Sequence, residues 1–268
     1  MALGLALAEG PEFAAHYMSN IFIGLTTFAA VFGGVLIGRL FARRLPSHHL
    51  GSETQSAVTV AVAVIGTLSA LVLGLMISAA NSSFSARADG VRELSLQVIR
   101  IERNLRRYGP EADEARARLR TWATVKTQQL FPEKNQTSAL PETAIQLLES
   151  VQDALLALTP QNPRQQYLRT LCLTLSSNLI QARWSLEQHM GHSIPVPFLI
   201  LLVFWLTIVF TSFALFAPEN STAMITLLLC AVAVSGGIMM IEELDNPHSG
   251  LIRIPSDSMR KALEEVAH

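Results

Sequence analysis

Charge is scarce in this sequence, and four stretches have none at all. Only 15% of the 268 residues are charged while 50% are hydrophobic, a low share of charge for a soluble protein. Residues 20–38, 57–80, 194–217 and 222–241 hold no Asp, Glu, Lys or Arg. About 20 apolar residues in a helix, at about 1.5 Å each, cross a hydrocarbon core of roughly 30 Å. The four stretches therefore read as membrane spans. Cysteine is scarcer still. Cys172 falls in a polar segment and Cys230 in the middle of a span, which excludes a disulfide framework and implies no redox chemistry. The net charge of −1 gives nucleic acid nothing to bind.

Catalytic signatures are missing too. There is no G-x-S-x-G, no H-E-x-x-H, no Gly-rich phosphate loop and no Cys–His pair at metal spacing. An enzyme is not expected, nor a cofactor, nor a metal. His48 and His49 are adjacent and so share no helix face. His189 and His192 sit three apart without a carboxylate or Cys beside them, as at a polar helix end. No carboxylate, His or Lys lies within a span, whereas pumps and coupled transporters generally need one. The spans show no internal repeat. The N-terminus has no basic leader, and Glu9 and Glu12 interrupt it, so the first span is expected to remain in place.

What is present is organised around residues 57–80. This run is not uniformly oily: Thr59, Thr67, Ser69 and Ser78 interrupt it, and Gly66 and Gly74 thin it. Small and hydroxylated residues let helices approach closely or line a polar path. No Pro or Gly follows until Gly90, which predicts one long helix leaving the membrane for a water-facing domain. Residues 81–193 carry 14 Lys or Arg and 11 Asp or Glu. In that domain Val91, Leu94, Val98, Ile101 and Leu105 step by 3, 4, 3, 4, a narrow helical seam. Gly109-Pro110 stops it. Further helices are predicted over residues 111–130, 141–158 and 164–189. The third carries Ile145, Leu148, Val151, Leu155 and Leu158 inward, the fourth Leu168, Leu171, Leu175, Leu179 and Trp184.

Arg39, Arg43 and Arg44 mark a membrane edge after the first span, whose Gly34-x-x-x-Gly38 spacing suits a close helix contact. Pro195 and Pro197 open the third span, where a missing N–H costs little. Its rings, among them Phe204, Trp205 and Phe210, read as lipid-facing or packed. The fourth span holds Gly236-Gly237, a close approach or kink. The expected fold is an all-α integral membrane protein. Its segments are residues 1–81 (an amphipathic lead-in and two spans), 82–193 (a helical-bundle extramembrane domain inserted after the second), 194–241 (the third and fourth spans) and 242–268 (a polar tail, helical from about Pro255).

Two segments resemble a known family. Leu73-Gly74-Leu75 followed by Phe84-Ser85-Ala86-Arg87 is similar to the second-span signature of bestrophins and bacterial bestrophin-like proteins. Glu243-Leu244-Asp245-Asn246-Pro247 and the later Ile254-Pro255-Ser256-Asp257-Ser258-Met259 resemble the segment those proteins carry after their fourth span. The order of spans agrees, though the motifs cover only about 40 residues. The resemblance implies a homopentamer with a central pore lined by the second span. The hydrophobic neck would fall on Thr67, Leu71 and Leu75, which lie at i, i+4 and i+8 on one helical stripe. Bestrophin necks are often aromatic; this one would be Leu and Thr. Calcium-sensing bestrophins also carry an acidic run where this chain reads Gly250-Leu251-Ile252-Arg253-Ile254, which cannot supply the oxygens Ca²⁺ requires.

Four spans put the N-terminus, the polar domain and the tail on one side. The resemblance makes that side the cytoplasm of a bacterial inner membrane. The count of Lys and Arg agrees, 17 against 3, although the compact Arg39, Arg43 and Arg44 group lies opposite. The sequence thus points to an oligomeric ion channel, self-associating in the bilayer and passing small ions. Anions are favoured, because Arg87, Arg92, Arg100 and Arg103 follow the pore span and would line a basic vestibule. For these arginines the plainer alternative is a solvated face paired with Asp89, Glu93 and Glu102. The alternative function is a non-conducting membrane scaffold or sensor whose helical domain binds a partner.

Overall fold

The computed structural model describes residues 11–46, 51–131, 141–191, 194–245 and 254–267. Within them the backbone is helical, with no strand. In chain order the helices are α1 (Pro11–Arg44), α2 (Ser52–Tyr108), α3 (Asp113–Leu130), α4 (Pro141–Ala157), α5 (Pro163–His189), α6 (Val196–Phe216), α7 (Ser221–Asp245) and α8 (Asp257–Ala267). A single 3-10 turn, Pro110–Ala112, joins α2 to α3. Four of these helices, α1, α2, α6 and α7, are long and apolar enough to cross a membrane. The expected long second helix is unbroken over 57 residues. Gly90 does not interrupt it; a Cβ there would meet Leu186 Cδ1 at 3.0 Å, so Gly90 serves packing. Gly109 does end it, with φ at 123°, a region that glycine enters without the Cβ penalty of other residues.

The chain forms two compact units. The first is Met1–Ser83 with His192–Ile252. Here α1 packs on α6 and α7. The Gly34–Gly38 pair is a true close approach. A Cβ on Gly34 would lie 2.7 Å from Thr211 Oγ1, and one on Gly38 would collide with the Thr211 carbonyl oxygen. With no bulk on α1, the backbones come together as small-residue spacing requires. Gly236 and Gly237 behave otherwise. Nothing lies within 4 Å of either Cβ position, and α7 runs through them, so the expected close approach within the chain is not there. Val31, Val35, Val62, Val209 and Phe210 form one apolar cluster. Met76, Ala80, Leu202, Ile238 and Ile241 form another.

The second unit is Phe84–Gly191 with Arg253–His268. Its core is the predicted seam: Val91, Leu94, Val98, Ile101 and Leu105 are all buried, packed with Leu119, Trp122, Leu155 and Leu179. The stripe on α5 differs from expectation. Leu168, Cys172, Leu175, Leu179, Arg183 and Leu186 face inward, and Trp184 is exposed. The steps of 4, 3, 4, 4 and 3 put Arg183 where a large apolar residue was expected and turn Trp184 outward. The Arg183 guanidinium then lies 5.1 Å from the Trp184 ring centroid. The C-terminal helix α8 also joins this unit, burying Met259, Ala262 and Val266.

Candidate functional site: the open face of the second helix

Within the first unit, α2 buries one stripe and leaves the rest open. Val62, Ser69, Met76 and Ala80 are buried. They step by 7, 7 and 4, so they share one face. The residues expected to form a neck lie on another. Leu71 and Leu75 are 60% and 62% exposed, and Thr67 is exposed with them. Val60 and Val64 extend the open face. Gly66 and Gly74 meet nothing within 4 Å, so within one chain their smallness has no use. The Thr67 hydroxyl donates to the Ala63 carbonyl at 2.8 Å. Its proton is thereby satisfied, and acceptor lone pairs remain for whatever faces the helix.

Below the span the arginines have divided roles. Arg92 is exposed and pairs with Asp89 at 3.3 Å, one turn back on α2. Arg100 is exposed. Arg103 reaches Glu265 of α8 at 3.2 Å. Arg87 departs from its expected place on a vestibule wall. It is 1% exposed. Its Nε donates to the His189 carbonyl at 2.6 Å and its Nη2 to the Gly191 carbonyl at 2.8 Å. The last carbonyls of a helix lack partners in their own helix and carry partial negative charge. Arg87 supplies donors and positive charge together at the end of α5. Sequence reasoning missed this role because the partner is a backbone carbonyl 102 residues away.

The same device recurs. Arg169 Nη2 donates to the Leu156 carbonyl at 2.7 Å, at the end of α4. Arg120 Nε donates to the Val266 carbonyl at 2.8 Å, at the end of α8. Arg39 donates to the Pro218 carbonyl at 3.0 Å, just after α6. Arg43 binds Glu219 in that same hairpin at 3.0 Å, which holds the Glu219 carboxyl below the usual carboxylate range. Two of the three membrane-edge arginines therefore grip the α6–α7 turn.

One buried carboxylate of the second unit is firmly paired. Glu102 is fully buried, and its Oε1 accepts from Arg116 Nη2 and Nε at 2.6 and 2.8 Å. The hydrogen bond to Glu102 raises the Arg116 pKa. Burial pushes the Cys172 thiol up to about 12, which disfavours the thiolate. No group of three or more His, Cys, Asp or Glu is placed to hold a metal among the described residues. His189 Nδ1 lies 2.6 Å from the Ser185 carbonyl. His48, His49, His192 and residues 250–253 lie outside the described residues.

A family model for the bestrophin-like domain matches residues 29–259. The chain belongs to the bestrophin-like family. Among solved structures, two point variants of a bacterial bestrophin homologue from Klebsiella pneumoniae share its fold. One has a TM-score of 0.65 at 14% identity, covering 92% of this chain and 97% of that one. The other has a TM-score of 0.63 at 14% identity, covering 89% and 99%. A crystal structure described only as a membrane protein has a TM-score of 0.65 at 14% identity over 92% and 96%. No curated protein matches the sequence. Bestrophins are a family of channels rather than of enzymes. The bestrophin-like match takes in α2 whole, with both Thr67–Leu71–Leu75 and Arg87.

Proposed function

We propose that this bestrophin-like protein is an oligomeric ion channel of the bacterial inner membrane. Five copies set the open face of α2 around a common axis, and Thr67, Leu71 and Leu75 form the neck. One observation carries the reading. The second span leaves Thr67, Leu71 and Leu75 exposed on one stripe and leaves Gly66 and Gly74 with nothing packed against them within the chain. Lipid gains little from glycine and threonine, whereas a neighbouring helix or an aqueous pore uses both. The second unit then forms the cytoplasmic end. Arg92 and Arg100 stand on its exposed α2 face and favour anions in the vestibule. Arg87 contributes to the wall by fixing the end of α5, not by presenting charge.

The test is paired. Native mass spectrometry in mild detergent gives the copy number. Flux into liposomes, with reversal potentials in asymmetric chloride, gives conduction and ion choice. A monomer or dimer without flux rejects the channel. A pentamer passing cations better than anions keeps the channel and removes the vestibule role of Arg92 and Arg100.

A further inference from the structure

The interior of the second unit holds more positive charge than its neighbours balance. Lys126 on α3 and Arg183 on α5 have side chains only 6% and 5% exposed. Both depend on one carboxylate, Glu187, at 3.4 Å from Lys126 Nζ and 2.9 Å from Arg183 Nη2. Among the described residues, two cations against one anion leave a surplus of one. Glu187 and Arg183 are the charges among those residues that act on Lys126, and burial lowers its pKa. Arg183 Nε is buried with no hydrogen-bond partner. The same two helix stripes carry two more buried groups in that condition. These are Trp122 Nε1, one turn before Lys126, and Ser176 Oγ, two turns before Arg183.

Buried donors are nearly always satisfied, and a buried cation without a counter-charge is costlier than a neutral donor. A water molecule would answer the hydrogen-bonding need but not the charge. An anion answers both. The surroundings are apolar, with Trp122, Leu179 and Leu186 fully or almost fully buried, so a small, weakly hydrated ion suits them better than phosphate or a carboxylate. We propose that α3 and α5 hold one monovalent halide, chloride in the cell, between Lys126 Nζ and the Arg183 Nε edge. Glu187, whose side chain is 29% exposed, marks the side open to solvent. The ion is a structural ligand of the helical unit and is not in transit. It is independent of whether the protein conducts.

The experiment uses the full-length protein in detergent. Its melting temperature is followed while sodium chloride or bromide replaces sodium gluconate at constant ionic strength. The expected result is a saturable rise with halide. Lys126→Met should weaken halide binding about tenfold or more while still folding, its methylenes being kept. A rise that Lys126→Met retains places the ion elsewhere, the pore included, and overturns the assignment. If that variant does not fold, anomalous scattering from bromide-soaked crystals of the wild-type protein decides. A peak against Arg183 Nε supports the site; a water molecule there, or no peak, overturns it.

Discussion

Arg87 Nε donates to the carbonyl oxygen of His189 at 2.6 Å, tying α2 to the end of α5. Since Arg87 also holds Gly191, a single guanidinium closes a helix and fixes the two residues that follow. Its burial makes this bond decisive for stability, because the carbonyls it serves would otherwise be left without donors. Arg87→Met should cost about 3 kcal/mol or more. Arg87→Lys should cost less, keeping the charge but losing the fork that reaches two carbonyls. Chemical unfolding of the purified protein checks both. Equal stability of Arg87→Met and wild type would contradict the capping role.

The glycines of α1 and α2 should respond in opposite ways. Gly38→Ala drives a methyl into the Thr211 carbonyl and must push α1 off α6. A loss of about 2 kcal/mol is expected. Gly66→Ala meets open space within the chain and should gain up to about 1 kcal/mol of helix propensity. If neighbouring copies pack against α2 there, the same change should instead loosen the oligomer. Size-exclusion chromatography beside thermal melting separates the two outcomes.

Of the proposed neck residues, Leu71 is the one whose change is most informative. Repeated around a ring, it makes an apolar collar in which water loses hydrogen bonds that the wall cannot replace. Leu71→Ser should wet the collar and raise flux. Leu71→Ala should raise it through width alone. The scaffold alternative expects no flux in either, with stability lowered by about 2 kcal/mol if a partner packs on Leu71.

Calcium should not gate the protein, because no carboxylate lies between Gly250 and Pro255. Flux in liposomes should be the same with and without micromolar Ca²⁺. A reversible change would show that oxygens from elsewhere in the chain form a site.

Lys126 should leave a mark on alkaline stability. Its pKa is depressed in the fold by burial first. Between that lowered value and the ordinary 10.5 the unfolded chain binds the extra proton, so stability rises with pH through this window. Below it the buried charge opposes folding. The stability of Lys126→Met relative to wild type, measured in gluconate, should therefore fall steadily as pH approaches 10.5. A flat difference would mean that the ammonium is fully compensated. The raised pKa of Tyr108 works in the other direction but cancels in the difference.

Sequence alone determined which segments are helical and which of them can span a membrane. Both follow from local chemistry. Charge-free runs of span length, the 3, 4, 3, 4 seam from Val91 to Leu105, and the stop at Gly109 are properties of neighbouring residues, so they can be read along the chain. The family too was legible, because its two motifs are contiguous. Pairings were not. Gly34 and Gly38 meet a helix while Gly236 and Gly237 meet none, yet all four look alike in sequence. Trp184 was expected inside, because a large ring gains much from burial, and Arg183 was not part of the expected stripe. The register of α5 turned Trp184 out and Arg183 in, where Glu187 gives the charge a partner. Above all, the arginines that end other helices donate to backbone carbonyls, and a carbonyl carries no sequence signature. The tertiary structure assigned Arg87 to a helix end and left Thr67, Leu71 and Leu75 facing outward, because a residue's neighbours in space are set by how helices pack.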